Sequence, residues 1–256
     1  MAATLSEDRV LDVLRTSGRA SVAELASTLD VGEATVRRAL GRLERDGRIV
    51  RTYGGAMLPG TAVASGDPEI AAKRAIGAAA AALVQDGDTV ALSSGSTVLE
   101  LARCLHDRPL TVITNAMDVA TTLIDSPGTT LVVLGGVLLP SLRSLLGHLT
   151  EQSTHDLRAD TVFMGASAVD LGHGFMTDHV PEIQTDRALR RMARDCVLLV
   201  DAGKFDRVAP GFMFGFEDVT TVVTDERIRP DTRAALEGRG LRVIVAGERG
   251  GAPREP

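Results

Sequence analysis

Apolar positions along this 256-residue chain follow two different rhythms, and the change from one to the other divides it. Up to residue 58 they recur every three or four positions, the spacing of helices that bury one face. Beyond residue 70 they gather into short unbroken runs of Val, Leu, Ile and Ala separated by helical stretches, as strands covered on both faces require.

In the first part, Ser6 is placed to cap a helix whose Val10, Leu11, Val13 and Leu14 form one stripe and which Gly18 stops. Ser21 and Glu24 of "SVAELASTL" have the spacing of a capping box, with Val22, Leu25, Ala26 and Leu29 facing inward. A break at "DVG" precedes "EATVRRALGRLERDG". There Val36, Leu40 and Leu43 pack on the first two helices, and Glu33, Ala34, Thr35, Arg37 and Arg38 point away. Gly47 ends this helix, and "RIVRTYGGA" alternates as a short hairpin does. Three helices and a hairpin over residues 1–58 predict a winged helix-turn-helix whose third helix enters the major groove of double-stranded DNA. Candidate contacts are Thr35, Arg37, Arg38 and Arg42 on that helix and Arg48, Arg51 and Tyr53 on the wing. A helical domain that docks on a protein carries the same stripes; the exposed arginines favour DNA.

Residues 54–69, "GGAMLPGTAVASGDPE", have no period and place a linker at 59–69. From residue 70 to 256, helices and strands alternate. "DTVAL", "LTVIT", "TTLVVLGG", "TVFMGA", "CVLLV", "VTTVVT" and "LRVIV" read as strands. They predict a doubly wound, mostly parallel α/β domain with its ligand site at the carboxyl ends of the strands. The loop "SSGST" lies at one such end. Backbone N–H groups of Gly95, Ser96 and Thr97, the dipole of the following helix and the hydroxyls of Ser94, Ser96 and Thr97 suit an anion. A plain strand-to-helix turn with Ser96 as N-cap uses the same residues. The loop matches neither a Walker sequence nor a nucleophile elbow, and no dinucleotide fingerprint occurs at any strand-to-helix turn.

Charge and composition sharpen this picture. Net charge is −6, yet residues 1–58 carry nine Arg against eight acids, +1, which leaves −7 for the remainder. Within 35–53, six Arg face only Glu44 and Asp46, either a polyanion-binding end or a solvated helix face. Of 28 basic side chains only Lys73 and Lys204 are lysine, and Lys204 sits in the strand-end loop "DAGKFD". An ammonium there suits a phosphate or a sugar oxygen as a point charge; pairing with Asp201 or Asp206 is the alternative. Aromatic residues are 3% with no Trp, so the core is aliphatic. Cys104 and Cys196 are too few for a disulfide framework and read as buried thiols of a reduced, cytoplasmic protein. The polar start "MAATLSEDRVL" and the lack of any apolar run near ~20 residues predict neither a signal peptide nor a membrane span. His173, Asp178 and His179 have no usual metal-ligand spacing, so no metal or cofactor is expected.

In the order and spacing of "VGEATVRRALGRLERDGRIVRTYGGA", "DGDTVALSSGSTVLELA", "LTVITNAMDVA", "LVVLGG", "FMGASAVDLGHGF" and "LLVDAGKFDR", the chain resembles the DeoR family of sugar-responsive transcription regulators. The resemblance implies a winged helix joined to a domain similar to ribose-phosphate isomerases that binds a phosphorylated sugar. It implies phosphate contacts from Ser94, Gly95, Ser96, Thr97 and Lys204, a pocket bordered by Asn115, Gly135 and Gly136, and Asp170 near the sugar hydroxyls. The chain departs from the family pattern at Ser6, Gly32, Ala39, Ser93 and Asp186, the last standing where a Lys is common. Its linker is also shorter than usual.

Isomerases of this architecture need a carboxylate base supported by further acids. "GASAVDLGHGF" offers Asp170 alone, so the loop is expected to detect its ligand rather than convert it. The expected function is a homo-oligomeric repressor, dimer or tetramer, of a carbohydrate operon relieved by a phosphorylated sugar. The alternative is an isomerase-like enzyme with an accessory basic domain.

Overall fold

The computed structural model describes residues 6–17, 19–46, 48–52, 55–57 and 68–247. Gly18, Gly47, Tyr53 and linker residues 59–67 lie outside the described residues. The chain divides into two compact units, Met1–Asp67 and Pro68–Pro256.

The first unit runs α1 (Glu7–Ser17), β1 (Arg19–Ser21), α2 (Val22–Leu29), α3 (Glu33–Arg45), β2 (Val50–Thr52) and β3 (Gly55–Met57). Val10, Leu11, Leu14, Val22, Leu25, Leu29, Val36, Leu40 and Leu43 form one buried core, as their spacing predicts. The capping box closes, with Glu24 N donating to Ser21 Oγ at 3.1 Å and Ser21 N to Glu24 Oε2 at 2.7 Å. The wing is a three-stranded antiparallel sheet in the order β1-β3-β2. Strand β1, only three residues between two helices, gives no periodic signal. Its pairing with β3 needs Gly55, because a Cβ there would lie 2.2 Å from the Ala20 carbonyl oxygen. Gly32 caps α3 with extended backbone and no side-chain bond. Ala39 is fully buried in this core.

The second unit opens with α4 (Pro68–Ala81), β4 (Thr89–Leu92), α5 (Ser96–Cys104), β5 (Thr111–Thr114), α6 (Met117–Leu123) and β6 (Thr130–Val133). A hairpin of β7 (Val137–Leu139) and β8 (Ser144–Leu146) leads to α7 (His148–Ser153) and β9 (Ala159–Met164). Next come β10 (Ala168–Asp170), β11 (Gly174–Thr177), α8 (Ile183–Met192), β12 (Ala193–Leu199) and β13 (Gly211–Phe214). The unit closes with β14 (Thr221–Asp225), α9 (Pro230–Glu237) and β15 (Arg242–Ala246). Seven strands pair in parallel in the order β15-β14-β12-β9-β4-β5-β6.

Alternate residues of these strands feed two cores. Val90, Leu92, Val112, Phe163 and Leu199 pack with Ile76, Val98, Leu101 and Val119 of α4, α5 and α6. Ala91, Ile113, Val162, Met164 and Leu198 pack with Leu189 and Leu236 of α8 and α9 and with Val169, Phe175 and Phe214 of the small β10-β11-β13 sheet. Each central strand is therefore covered on both faces, which is why its sequence lacks polar alternation. One expectation fails. Cys196 is buried in β12, but Cys104, at the last turn of α5, is exposed because the apolar stripe of that helix runs through Leu101, Ala102 and Leu105.

Candidate ligand site and nucleic-acid interface

Strand order reverses between β4 and β9, the switch point at whose carboxyl ends open α/β sheets bind their ligands. Ser93 leaves β4 buried, its N–H donating to Phe163 O of β9 at 3.0 Å. Gly95 follows at φ 126°, ψ 149°, a backbone conformation open to glycine. This corrects one alternative for the loop: Gly95, not Ser96, is the N-cap of α5, and no side chain caps the helix. Ser96 is exposed, Thr97 is buried and Ser94 lies between. The first turn of α5 thus has no side-chain cap for its N–H groups, a setting that suits an anion.

Asn115, at the end of β5, is 1% exposed. Its Nδ2 donates to Ser144 Oγ at 2.9 Å and Leu145 O at 3.1 Å, while Oδ1 has no partner. Gly135 and Gly136 serve packing: Thr150 Oγ1 donates to Gly135 O at 2.6 Å, and a Cβ on Gly136 would lie 2.1 Å from that hydroxyl. Lys204 ends a short 3-10 turn after β12, held by Asp201, whose carboxylate accepts from Gly203 N at 3.0 Å. Burial pushes the half-buried Lys204 ammonium below its ordinary pKa, opposed by Asp201, with Arg207 and Lys73 adding to the lowering. The two lysines of the chain therefore feel one another. Lys73, on the first turns of α4, pairs with Glu69 at 2.5 Å.

Asp170 bonds within its own turn, to Gly172 N at 2.9 Å and His173 Nδ1 at 2.6 Å, and the histidine bond holds its carboxyl below the usual range. A bridge between Val169 and Phe205 sets this turn beside the Lys204 loop.

Glu182 is the residue that sequence reasoning missed. It precedes α8 in a short 3-10 turn and is 7% exposed, and Ser94 Oγ donates to its Oε1 at 2.9 Å. Asp186, one helical turn on and 6% exposed, shares its face. Burial raises the Glu182 carboxyl; burial and then the Glu182 charge raise Asp186 well above its ordinary value. Between them Thr185 accepts from Gly147 N at 3.2 Å, linking α8 to the segment after β8. Asp170 remains the one carboxylate of its own segment, and the structure adds Glu182 beside Ser94, with Asp186 one turn further along α8. A groove on the far part of α8, lined by Thr154, His155, Arg158, Ala188, Arg191 and Met192, includes none of these residues.

On α3, Arg37 and Arg38 are exposed and Thr35 is half-buried. Arg37 pairs with Glu33 at 2.9 Å, and Arg38 bonds Ala34 O at 3.3 Å and Thr35 Oγ1 at 3.4 Å. Arg42 is tied to Glu7 of α1 at 2.6 Å, and Arg48 to Asp8 at 3.2 Å. The Arg51 side chain and Tyr53 lie outside what is described. Among the described residues no group of three or more His, Cys, Asp or Glu could hold a metal, and no helix is long and apolar enough to cross a membrane.

A winged helix with exposed arginines, joined to an α/β unit with an uncapped helix at its switch point, defines a ligand-responsive DNA-binding regulator. The DeoR-like helix-turn-helix domain matches residues 7–61 and the DeoR C-terminal sensor domain residues 69–226, so the chain belongs to the DeoR family of transcription regulators. It is 31% identical to a putative aga operon transcriptional repressor of Escherichia coli O157:H7, over 94% of this chain and 93% of that one. It is 30% identical to the lactose phosphotransferase system repressor of Lactococcus lactis subsp. lactis, over 87% and 91% of the two chains. Ribose 5-phosphate isomerase A from Methanocaldococcus jannaschii resembles 54% of the chain with a TM-score of 0.39 and 19% identity, a likeness too slight to bear on activity.

Proposed function

We propose that this regulator is a repressor of a carbohydrate operon that leaves its operator when a phosphorylated sugar binds at the ends of β4, β5 and β12. One observation supports the reading: the uncapped first turn of α5, entered through Gly95, and the loop of Lys204 leave the same carboxyl edge of the parallel sheet, from β4 and β12 on either side of β9. Helix N–H groups and a lysine together suit a phosphate dianion. Exposed Val137, Leu138 and Leu149 supply apolar surface for the dimer or tetramer that a two-fold operator calls for. The ligand favours one arrangement of the sensor units and shifts the population away from the DNA-binding one.

Fluorescence anisotropy on the upstream DNA, with and without sugar phosphates, tests this. Lys204→Ala is expected to bind DNA with unchanged affinity and to lose the sugar phosphate's effect. Release of DNA by the ligand from that variant, as from the parent, refutes the role of Lys204.

A further inference from the structure

The sensor unit places two carboxyl groups one helical turn apart, neither in an ion pair with Lys or Arg among the described residues; the one basic group whose charge acts on them is His179, on Glu182. Glu182 and Asp186 are one helical turn apart on the same face, both more than nine-tenths buried. Glu182 accepts one hydrogen bond, from Ser94. Asp186 has neither a hydrogen bond nor an ion pair among the described residues, and the influences on its carboxyl are burial and the Glu182 charge. A second acceptor is unpaired at the neighbouring strand end. The Asn115 amide orientation is fixed because Leu145 O can only accept, so its Nδ2 must face that carbonyl and Oδ1 is left orphaned and buried. Thr114, immediately before Asn115, bonds Leu92 O at 2.7 Å, so Asn115 and the Ser93–Gly95 turn that meets Glu182 occupy the same ends of adjacent paired strands.

Buried acceptors are rarely left unmade, and two adjacent buried carboxyls are costly unless a proton or a cation joins them. The site thus has unanswered acceptors on one side and, on the other, the uncapped N–H groups of α5 together with the positive charge of Lys204. A neutral sugar phosphate answers the donors only. Resting on the sensor reading above, we propose that the natural ligand is a phosphorylated sugar bearing a protonated amine, with its phosphate toward α5 and Lys204 and its ammonium toward Glu182, Asp186 and Asn115 Oδ1. An ammonium offers three donors and one positive charge, which matches two carboxyls and an amide oxygen in number and reduces their net charge. A hydroxyl in the same place offers one donor and no charge. The acid pair then acts as a specificity element, selecting against the hydroxyl analogue by leaving buried acceptors unanswered.

Isothermal titration of the full-length protein with three probe pairs tests the assignment: the 2-amino-2-deoxy 6-phosphates of glucose, galactose and mannose, each against its parent hexose 6-phosphate. At least one amino compound is expected to bind tenfold or more tightly than its parent. Asp186→Asn and Glu182→Gln are each expected to shrink that ratio to threefold or less, with a cooperative thermal melt of each variant showing that it is folded. Equal affinity within every pair, or a preference that survives both substitutions, overturns the inference and leaves the sensor reading intact. Binding of no member of either set at millimolar concentration overturns both.

Discussion

Asp186 has a consequence that can be measured without a ligand. Its carboxyl holds its proton more tightly in the folded protein than in the unfolded chain, because burial and Glu182 oppose ionisation. Below the ordinary aspartate value of 3.8 both states carry the proton and no penalty arises. Above it the unfolded chain releases its proton first, so the folded state binds more protons and stability falls as pH rises toward the raised folded value. Asp186→Asn removes that slope. The substitution is expected to raise the unfolding midpoint of the sensor unit by about 2–4 °C near pH 8, roughly 1 kcal/mol, and to leave it unchanged near pH 3.5. Thermal melts followed by circular dichroism at the two pH values check it; equal shifts at both would point to packing rather than ionisation. Much of this site was readable residue by residue. The hydroxyls of "SSGST" and the one lysine at a strand end stand out in an arginine-rich chain. Glu182 did not, because it stands 88 positions from the serine it meets and in a proline-containing turn without period.

At the scale of the element, the arginines of α3 separate into two kinds. Arg37 and Arg38 are exposed, and their contacts are all to neighbours on α3 itself, so they can exchange those for phosphates and base edges. Arg37→Ala and Arg38→Ala are each expected to weaken operator binding by ~1–3 kcal/mol while leaving the melting curve in place. Arg42 instead joins α3 to Glu7 of α1, and Arg42→Ala is expected to lower stability first. Gel-shift titrations paired with melts separate the two. A glycine comparison probes the wing in the same way. Gly55→Ala drives a methyl into the Ala20 carbonyl and is expected to cost about 1–3 kcal/mol, whereas a Cβ at Gly32 meets nothing within 4 Å. Gly32→Ser is therefore tolerated, with a gain of a few tenths of a kcal/mol from the new cap. Differential scanning calorimetry of both variants checks the pair.

The seven parallel strands were legible because burial on both faces forces continuous apolar runs such as "CVLLV". The hairpin β7-β8 and the β10-β11-β13 sheet were not, because three- and four-residue strands around glycine turns are too short for a period to emerge. Ala39 shows the same limit in a different form. It is one of the positions at which the chain departs from the family pattern, and α3 turns it fully into the core, which its sequence position alone does not reveal.

Seen whole, the molecule is two units with separate cores, one of α1–α3 and the wing, the other around the seven-stranded sheet. Because each core closes within its own unit, the fragment 68–256 is expected to fold and to bind sugar phosphate without the winged helix. A cooperative melt of that fragment, raised by ligand through mass action, checks this. A fragment that melts without cooperativity would place part of its stability in the first unit.

The two thiols differ in a way that lends itself to spectroscopy. Cys196 is sealed in β12, its pKa pushed up to about 12, and is closed to alkylation in the native state. Cys104 ends α5 at the surface, one helix length, roughly 13 Å, from the turn at Gly95. A maleimide fluorophore added to the native protein therefore attaches at a single point on the far end of that helix, and its emission becomes a reporter of occupancy at the near end without any engineered cysteine.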